Sequence, residues 1–309
     1  MENSLTKLIF LFLFFSLKLY SINPEKEYRG LPSDYGIIFK EISITTTDGL
    51  TLNGWFYPAQ DTSGIANQIV GRILPVPPEL KKEPRTYSLK YNKRLPTIII
   101  CGGDAGNMSH LIFYAYHFFT KGFNILTFDW RGFGGSSDWE MEKDFLCYTK
   151  FLDDYNAAID YVKSLSEVDT TKIGIMGFST GAYLSLATFT KRKDISAFCG
   201  RAIITSFYDL LSVLSTVDSS RTFKAPFDYP KELLPIYAAC TIDRPVFLIV
   251  GEKDIRTPPW MSEKINELLK GQKELWVVPG AEHGGRNGPE LYNYPEFFDR
   301  VYSFFDNYL

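Results

Sequence analysis

From residue 97 onward the chain repeats one rhythm. Short apolar runs recur at residues 97–101, 124–128, 173–178, 201–205, 246–250 and 274–278. Longer stretches with helical patterning separate them, at residues 109–121, 150–166, 181–193, 259–270 and 292–308. Strands that alternate with helices cannot pair as hairpins and need crossovers, which predicts a mostly parallel sheet covered by helices on both faces. Two further β-rich runs, residues 37–45 and 50–57, come first and are joined by Thr47-Asp48-Gly49. Asp-Gly between two such runs is a hairpin signal. The expected class is therefore α/β, with a central sheet of about eight strands. Residues 58–95 are rich in Pro, Gly and charge and read as a surface insertion. No internal repeat or composition break divides residues 22–309, so a single domain is expected.

Composition narrows the function. With 45% hydrophobic and 22% charged residues, the chain is too apolar for a disordered protein and long enough to bury a sizeable core. The 33 basic side chains do not outnumber the 36 acidic ones. No cationic surplus exists to neutralise phosphates, which argues against a nucleic-acid partner. Residues 8–17 read LIFLFLFFSL between Lys7 and Lys18. As a helix this run spans roughly 15 Å, about half a bilayer core. Residues 1–21 are thus expected to be a signal peptide or an uncleaved N-terminal membrane anchor, and the protein to be exported, periplasmic or secreted. The four cysteines, Cys101, Cys147, Cys199 and Cys240, have no metal-knuckle or redox spacing, and no metal site is expected. Cys199 and Cys240 are the pair that could meet at a sheet edge, but buried free thiols are the favoured reading.

The strongest local signal is Gly177-Phe178-Ser179-Thr180-Gly181. It follows an apolar strand-like run and precedes a helical one, the setting of a nucleophile elbow. Such a turn lifts the serine oxygen above the sheet edge, and glycines two residues to either side avoid a collision of Cβ atoms across it. A serine needs a base, and the chain has only three histidines. His110 and His117 lie seven residues apart on one helical face and read as half-buried helix residues. His283 lies in a Pro-Gly-rich loop after the last strand-like run, where a general base belongs. A carboxylate is expected between Ser179 and His283 in sequence. Asp254, just beyond the strand at 246–250, is preferred to Glu252, which sits closer to the strand itself.

These segments, with Gly103-Asp104-Ala105-Gly106-Asn107 and Asp129-Trp130-Arg131-Gly132-Phe133-Gly134-Gly135-Ser136, resemble the α/β-hydrolase family. More narrowly, the chain is similar to its short-lid serine hydrolases, the depalmitoylase-like and serine aminopeptidase-like members. The resemblance runs from about residue 37 to the C-terminus and keeps the family order of motifs. It implies an α/β-hydrolase fold, a Ser179–His283–Asp254 triad and no cofactor. It also implies an oxyanion hole from the backbone N–H groups of Thr180 and Asp104. One departure stands out. Relatives usually read His-Gly-Asn-Ala-Gly-Asn where this chain has Gly102-Gly103-Asp104-Ala105-Gly106-Asn107. A carboxylate aimed at the hole would oppose the anion formed there, unless Asp104 turns outward to cap the helix that follows.

Larger members of that family carry a lid domain. Here residues 207–242 leave room only for a short one, rich in aromatics, with Phe207 and Tyr208 as candidate substrate contacts and ordinary core packing as the alternative. The function expected is a serine hydrolase that cleaves a carboxylic ester or thioester of a small or lipid-like acyl substrate. Membrane association would come through the N-terminus. The alternatives are an aminopeptidase-like serine peptidase, an acyltransferase, and a binding protein that kept the fold and lost the chemistry.

Overall fold

The computed structural model describes residues 21–63, 86–90 and 92–309. All of the expected leader but Ser21, and most of the expected surface insertion, lie outside the described residues. The centre is one sheet of eight strands: β1 (Lys40–Thr45), β2 (Thr51–Tyr57), β3 (Leu95–Cys101), β4 (Asn124–Phe128), β5 (Val168–Phe178), β6 (Ala197–Arg201), β7 (Val246–Gly251) and β8 (Lys273–Val278). Their spatial order is β8-β7-β6-β5-β3-β4-β2-β1. The first pairings, β1 with β2 and β2 with β4, are antiparallel; every other pairing is parallel. The insertion shows a small antiparallel ladder of its own, Gln60–Ser63 against Thr86–Leu89.

Alternation along the strands divides the core in two. Ile99, Cys101, Ile173, Ile175 and Leu248 join one apolar cluster. Ile98, Ile100, Met176, Phe247 and Ile249 join the other. Both faces of the central strands are buried, so these strands read as continuous apolar runs rather than as alternating ones. Helices α1 (Ile112–Phe119) and α6 (Glu296–Tyr308) cover the second cluster. Helices α2 (Phe151–Ser164), α3 (Thr180–Lys191), α4 (Phe207–Val217) and α5 (Pro259–Leu268) cover the first.

Two expectations are corrected. The strand expected at 201–205 lies earlier, at β6, and the chain leaves the sheet at Ala202, whose φ of 60° turns it away. The helix expected at 292–308 is broken before Glu296, because Pro295 has no N–H to continue the ladder. The thiols follow the favoured reading: all four are free, and Cys199 and Cys240 do not pair. Cys199 sits inside β6 facing the α1–α6 cluster, whereas Ala239 and Ile242, beside Cys240, pack in the opposite one. The sheet itself separates them.

Candidate active site

The loops at the carboxyl ends of the parallel strands converge, as expected for the ligand side of such a sheet. After β5 the chain turns at Ser179 with φ 52° and ψ −115°, then enters α3 at Thr180. A non-glycine residue in this region is strained and is held there by its surroundings. The space explains the flanking glycines. A Cβ on Gly177 would lie 2.4 Å from the carbonyl oxygen of Gly181, and one on Gly181 would lie 2.0 Å from the carbonyl oxygen of Gly102. The Ser179 N–H donates to the carbonyl of Arg201 at 2.9 Å, which ties the turn to the end of β6.

His283 and Asp254 come to this serine from two neighbouring loops. His283 Nε2 lies 3.2 Å from Ser179 Oγ, and His283 Nδ1 lies 2.8 Å from Asp254 Oδ2. Asp254 is fully buried at its carboxylate. Burial alone would raise its pKa, but hydrogen bonds from His283 and Thr257 outweigh that and hold it below the usual range. The backbone N–H groups of Arg256 and Thr257 donate to Oδ1 at 2.9 Å each, and the Thr257 hydroxyl donates to Oδ2 at 2.8 Å. A hydroxyl, an imidazole and an ionised carboxylate in this chain can pass a proton from the serine oxygen to the ring. Glu252, the competing acid, instead accepts from the N–H of Gly280 at 2.8 Å.

Thr180 opens α3, so its N–H is among those left free of the helix ladder at that end. The loop after β3 packs against the same turn; a Cβ on Gly103 would lie 3.6 Å from the carbonyl oxygen of Phe178. Asp104 does not cap the next helix. Asn107 does so, accepting from the N–H of Ser109 at 3.1 Å. Asp104 faces Arg256, at 3.8 Å, and its side chain is 19% exposed. Burial raises its pKa, while the charges of Arg256 and His283 pull it down by less. The N-terminal segment braces this loop from outside: Asn23 and Pro24 pair in parallel with Ala105 and Gly106.

The remaining candidates fall elsewhere. His110 lies 3.0 Å from Glu25, and His117 stacks on Phe298 at 3.8 Å. Asp129 accepts from the Tyr28 hydroxyl and the Met108 N–H, both at 2.7 Å. Phe207 is buried edge-on against Tyr183 and Tyr229, whereas Tyr208 is 82% exposed. Neither lines the cavity of about 300 Å³ beside the elbow, which Ile100, Leu111, Tyr114, Met176, Phe178 and Arg201 help to form. Among the described residues no His, Cys, Asp and Glu cluster could hold a metal ion, and no helix is long and apolar enough to cross a membrane.

Three contributors escaped the sequence reading. Thr257 had a signal in Asp254-Ile255-Arg256-Thr257, a pattern in which the first carboxylate caps the N–H groups two and three residues on. Arg201 had one too, as a lone cation ending an apolar strand. The bracing segment 21–25 had none, because its pairing with the loop that carries Asp104 is made by backbone groups.

Residues 109–309 match the prolyl oligopeptidase family. An uncharacterised protein of Mycobacterium tuberculosis is 25% identical over 265 residues, covering 86% of this chain and 78% of its own. The Arabidopsis thaliana alpha/beta hydrolase domain-containing protein WAV2 is 22% identical over 76% of this chain and 68% of its own. Among solved structures, an esterase of Pyrococcus furiosus superposes with a TM-score of 0.65 at 20% identity, covering 93% of this chain and 99% of its own. An acylaminoacyl peptidase of Pyrococcus horikoshii gives 0.62 at 17%, over 89% of this chain and 42% of its own. The family match spans well over half of the sequence, and the strand order, the elbow and the converging loops agree with it: the chain belongs to the prolyl oligopeptidase family and is a serine hydrolase of the α/β-hydrolase fold.

Proposed function

We propose that the protein hydrolyses a carboxylic ester or thioester through an acyl-enzyme on Ser179. The observation that carries this reading is the unbroken chain from Ser179 Oγ through His283 to Asp254, at 3.2 and 2.8 Å, on a turn strained enough to present the oxygen. Ser179 Oγ attacks the acyl carbon while His283 Nε2 takes its proton. Asp254 keeps the imidazole in the tautomer that accepts there, and stabilises the cation that forms. The carbonyl oxygen becomes an anion facing the N–H groups of Thr180 and Asp104, each donor being worth about 2.7–4 kcal/mol of barrier in such sites. His283 then protonates the leaving alcohol or thiol. Water, deprotonated by the same ring, releases the acid and restores the serine.

Peptide cleavage is the second reading, favoured by the family itself. It uses the same steps with an amine as the leaving group. An acyltransferase would replace the water by an alcohol. On the same reading residues 1–21 direct the chain out of the cytoplasm, which cell fractionation tests; recovery of full-length protein in the cytosol alone would count against it.

The test is a series of p-nitrophenyl esters from acetate to palmitate, run beside aminoacyl p-nitroanilides, on wild type and Ser179→Ala. Serine-dependent ester turnover supports the reading, and the preferred chain length sizes the acyl site. Turnover of the anilides alone supports the peptidase. An added alcohol that captures the acyl group identifies a transferase. A folded protein that also fails to react with a fluorophosphonate is a binding protein.

A further inference from the structure

Arg201 touches both ends of the Ser179–His283 pair. It is the last residue of β6, after Ala197, Phe198, Cys199 and Gly200, all buried. Its carbonyl accepts the N–H of Ser179 at 2.9 Å. Its guanidinium Nη1 donates to the carbonyl of His283 at 2.6 Å. The guanidinium carbon lies 3.5 Å from the ring centroid of Phe178, the residue before the serine. Nη2 lies 3.2 Å from Glu290 Oε1, and the two side chains are only 2% and 8% exposed. Each residue therefore supplies the charge that makes burial of the other tolerable.

His283 needs such support. It stands in the irregular stretch between β8 and the short turn Gly285–Asn287. Nearby holds on this loop are backbone bonds, from the Lys253 N–H to Ala281 and from the Glu282 N–H to Asn287. The Ser179–His283 contact is 3.2 Å, and small displacements of a base from its nucleophile are costly in rate.

Resting on the reading of Ser179 and His283 as nucleophile and base, we propose that Arg201 is a positioning residue for that pair, clamped in place by Glu290. Its main chain fixes the elbow and its side chain fixes the histidine loop. One rigid residue at a strand end therefore sets the distance between the two groups. Arginine suits the role because its rigid planar fork serves the His283 carbonyl and the Glu290 carboxylate from two different nitrogens, whereas the ammonium of a lysine is a compact charge on a flexible stem and fixes the two less firmly.

The test begins with wild type: fluorophosphonate labelling and turnover of the best ester from the series above. If wild type neither labels nor turns over, the reading of the site fails, whatever Arg201 does. If it does, three variants follow: Arg201→Met, Arg201→Lys, and the double variant Arg201→Met with Glu290→Leu. The double variant removes both buried charges together, so that neither is left unpaired. The expected result is a kcat lower by about 10- to 100-fold in the methionine variants, with KM within about threefold and labelling slowed in parallel. Arg201→Lys, which keeps a cation beside Glu290 and so protects the fold, is expected at roughly a three- to tenfold loss. A folded double variant or lysine variant with wild-type kcat overturns the proposal, as does a loss confined to KM.

Discussion

The guanidinium of Arg256 stands 3.8 Å from the carboxylate of Asp104. The first follows the acid that holds His283; the second lies in the loop proposed to bind the oxyanion. The pair thus bridges two parts of the site through opposite charges, and it leaves an acid where relatives are expected to carry an amide. Replacing Asp104 by Asn is predicted to raise kcat/KM at alkaline pH, where the carboxyl is ionised, by roughly three- to tenfold, because it removes a negative charge near the developing anion. Burial raises the pKa of Asp104, so the wild-type side chain becomes neutral as pH falls. The two pH–rate profiles should therefore converge towards acid pH and separate above it. An Asn variant slower at every pH would mean that the carboxylate assists turnover.

Thr257 shares the Asp254 carboxylate with His283, its hydroxyl lying 2.8 Å from Oδ2 and 3.2 Å from His283 Nδ1. Thr257→Val keeps the shape and removes the donor. One such hydrogen bond is worth about 1 kcal/mol, and the expected result is a roughly fivefold lower kcat with unchanged KM. Steady-state kinetics on the preferred ester check it.

The elbow glycines make a prediction about stability rather than rate. Gly181→Ala would set a methyl group 2.0 Å from the carbonyl oxygen of Gly102, backbone against backbone. A loss of about 3 kcal/mol or more, or failure to fold, is expected. Gly102→Ala is the control in the same neighbourhood, since its added carbon would meet nothing nearer than 3.9 Å. Thermal unfolding of the two variants should separate them clearly, and equal melting temperatures would show that the elbow backbone can give way.

Asp129 predicts a pH dependence of folding. Burial pushes its carboxyl up to about 6. The folded chain keeps that proton where the unfolded chain, titrating near 4, has already lost it. The contribution to stability is therefore fully present below about pH 4 and lost as pH rises through 6, a change of order 2–3 kcal/mol. Asp129→Asn does not titrate, so relative to wild type it should gain stability between pH 4 and 7. Urea unfolding at four pH values across that window reads the difference; parallel curves would refute it.

Most of the parallel sheet was legible because its strands are buried on both faces and therefore stand out as unbroken apolar runs. The end of β6 was not, because the run continues through Ala202, Ile203 and Ile204 after the chain has left the sheet. Apolarity records burial, not pairing. Ser179, His283 and Asp254 were legible from residue type, order and position at strand ends, and the structure brings them together. Lid contacts were harder: Phe207 and Tyr208 are adjacent and both aromatic, yet one is core and the other solvent-facing. The helix phase at Phe207–Val217 decides that, with Phe207, Leu210 and Leu214 turned inward.

The short parallel pairing at Asn23–Pro24 carries a consequence for anyone who trims this chain. The Asn23 N–H bonds to the carbonyl of Asp104, the Glu25 N–H to that of Gly106, and Ile22 is wholly buried among core residues. Residues 21–25 are thus a clasp on the loop that carries Asp104. A cut inside the clasp would release that loop, together with the bonds that Ser21 and Glu25 make to Lys143 and Gly134. The loop opposite Ser179 would then no longer be held in shape to receive charge.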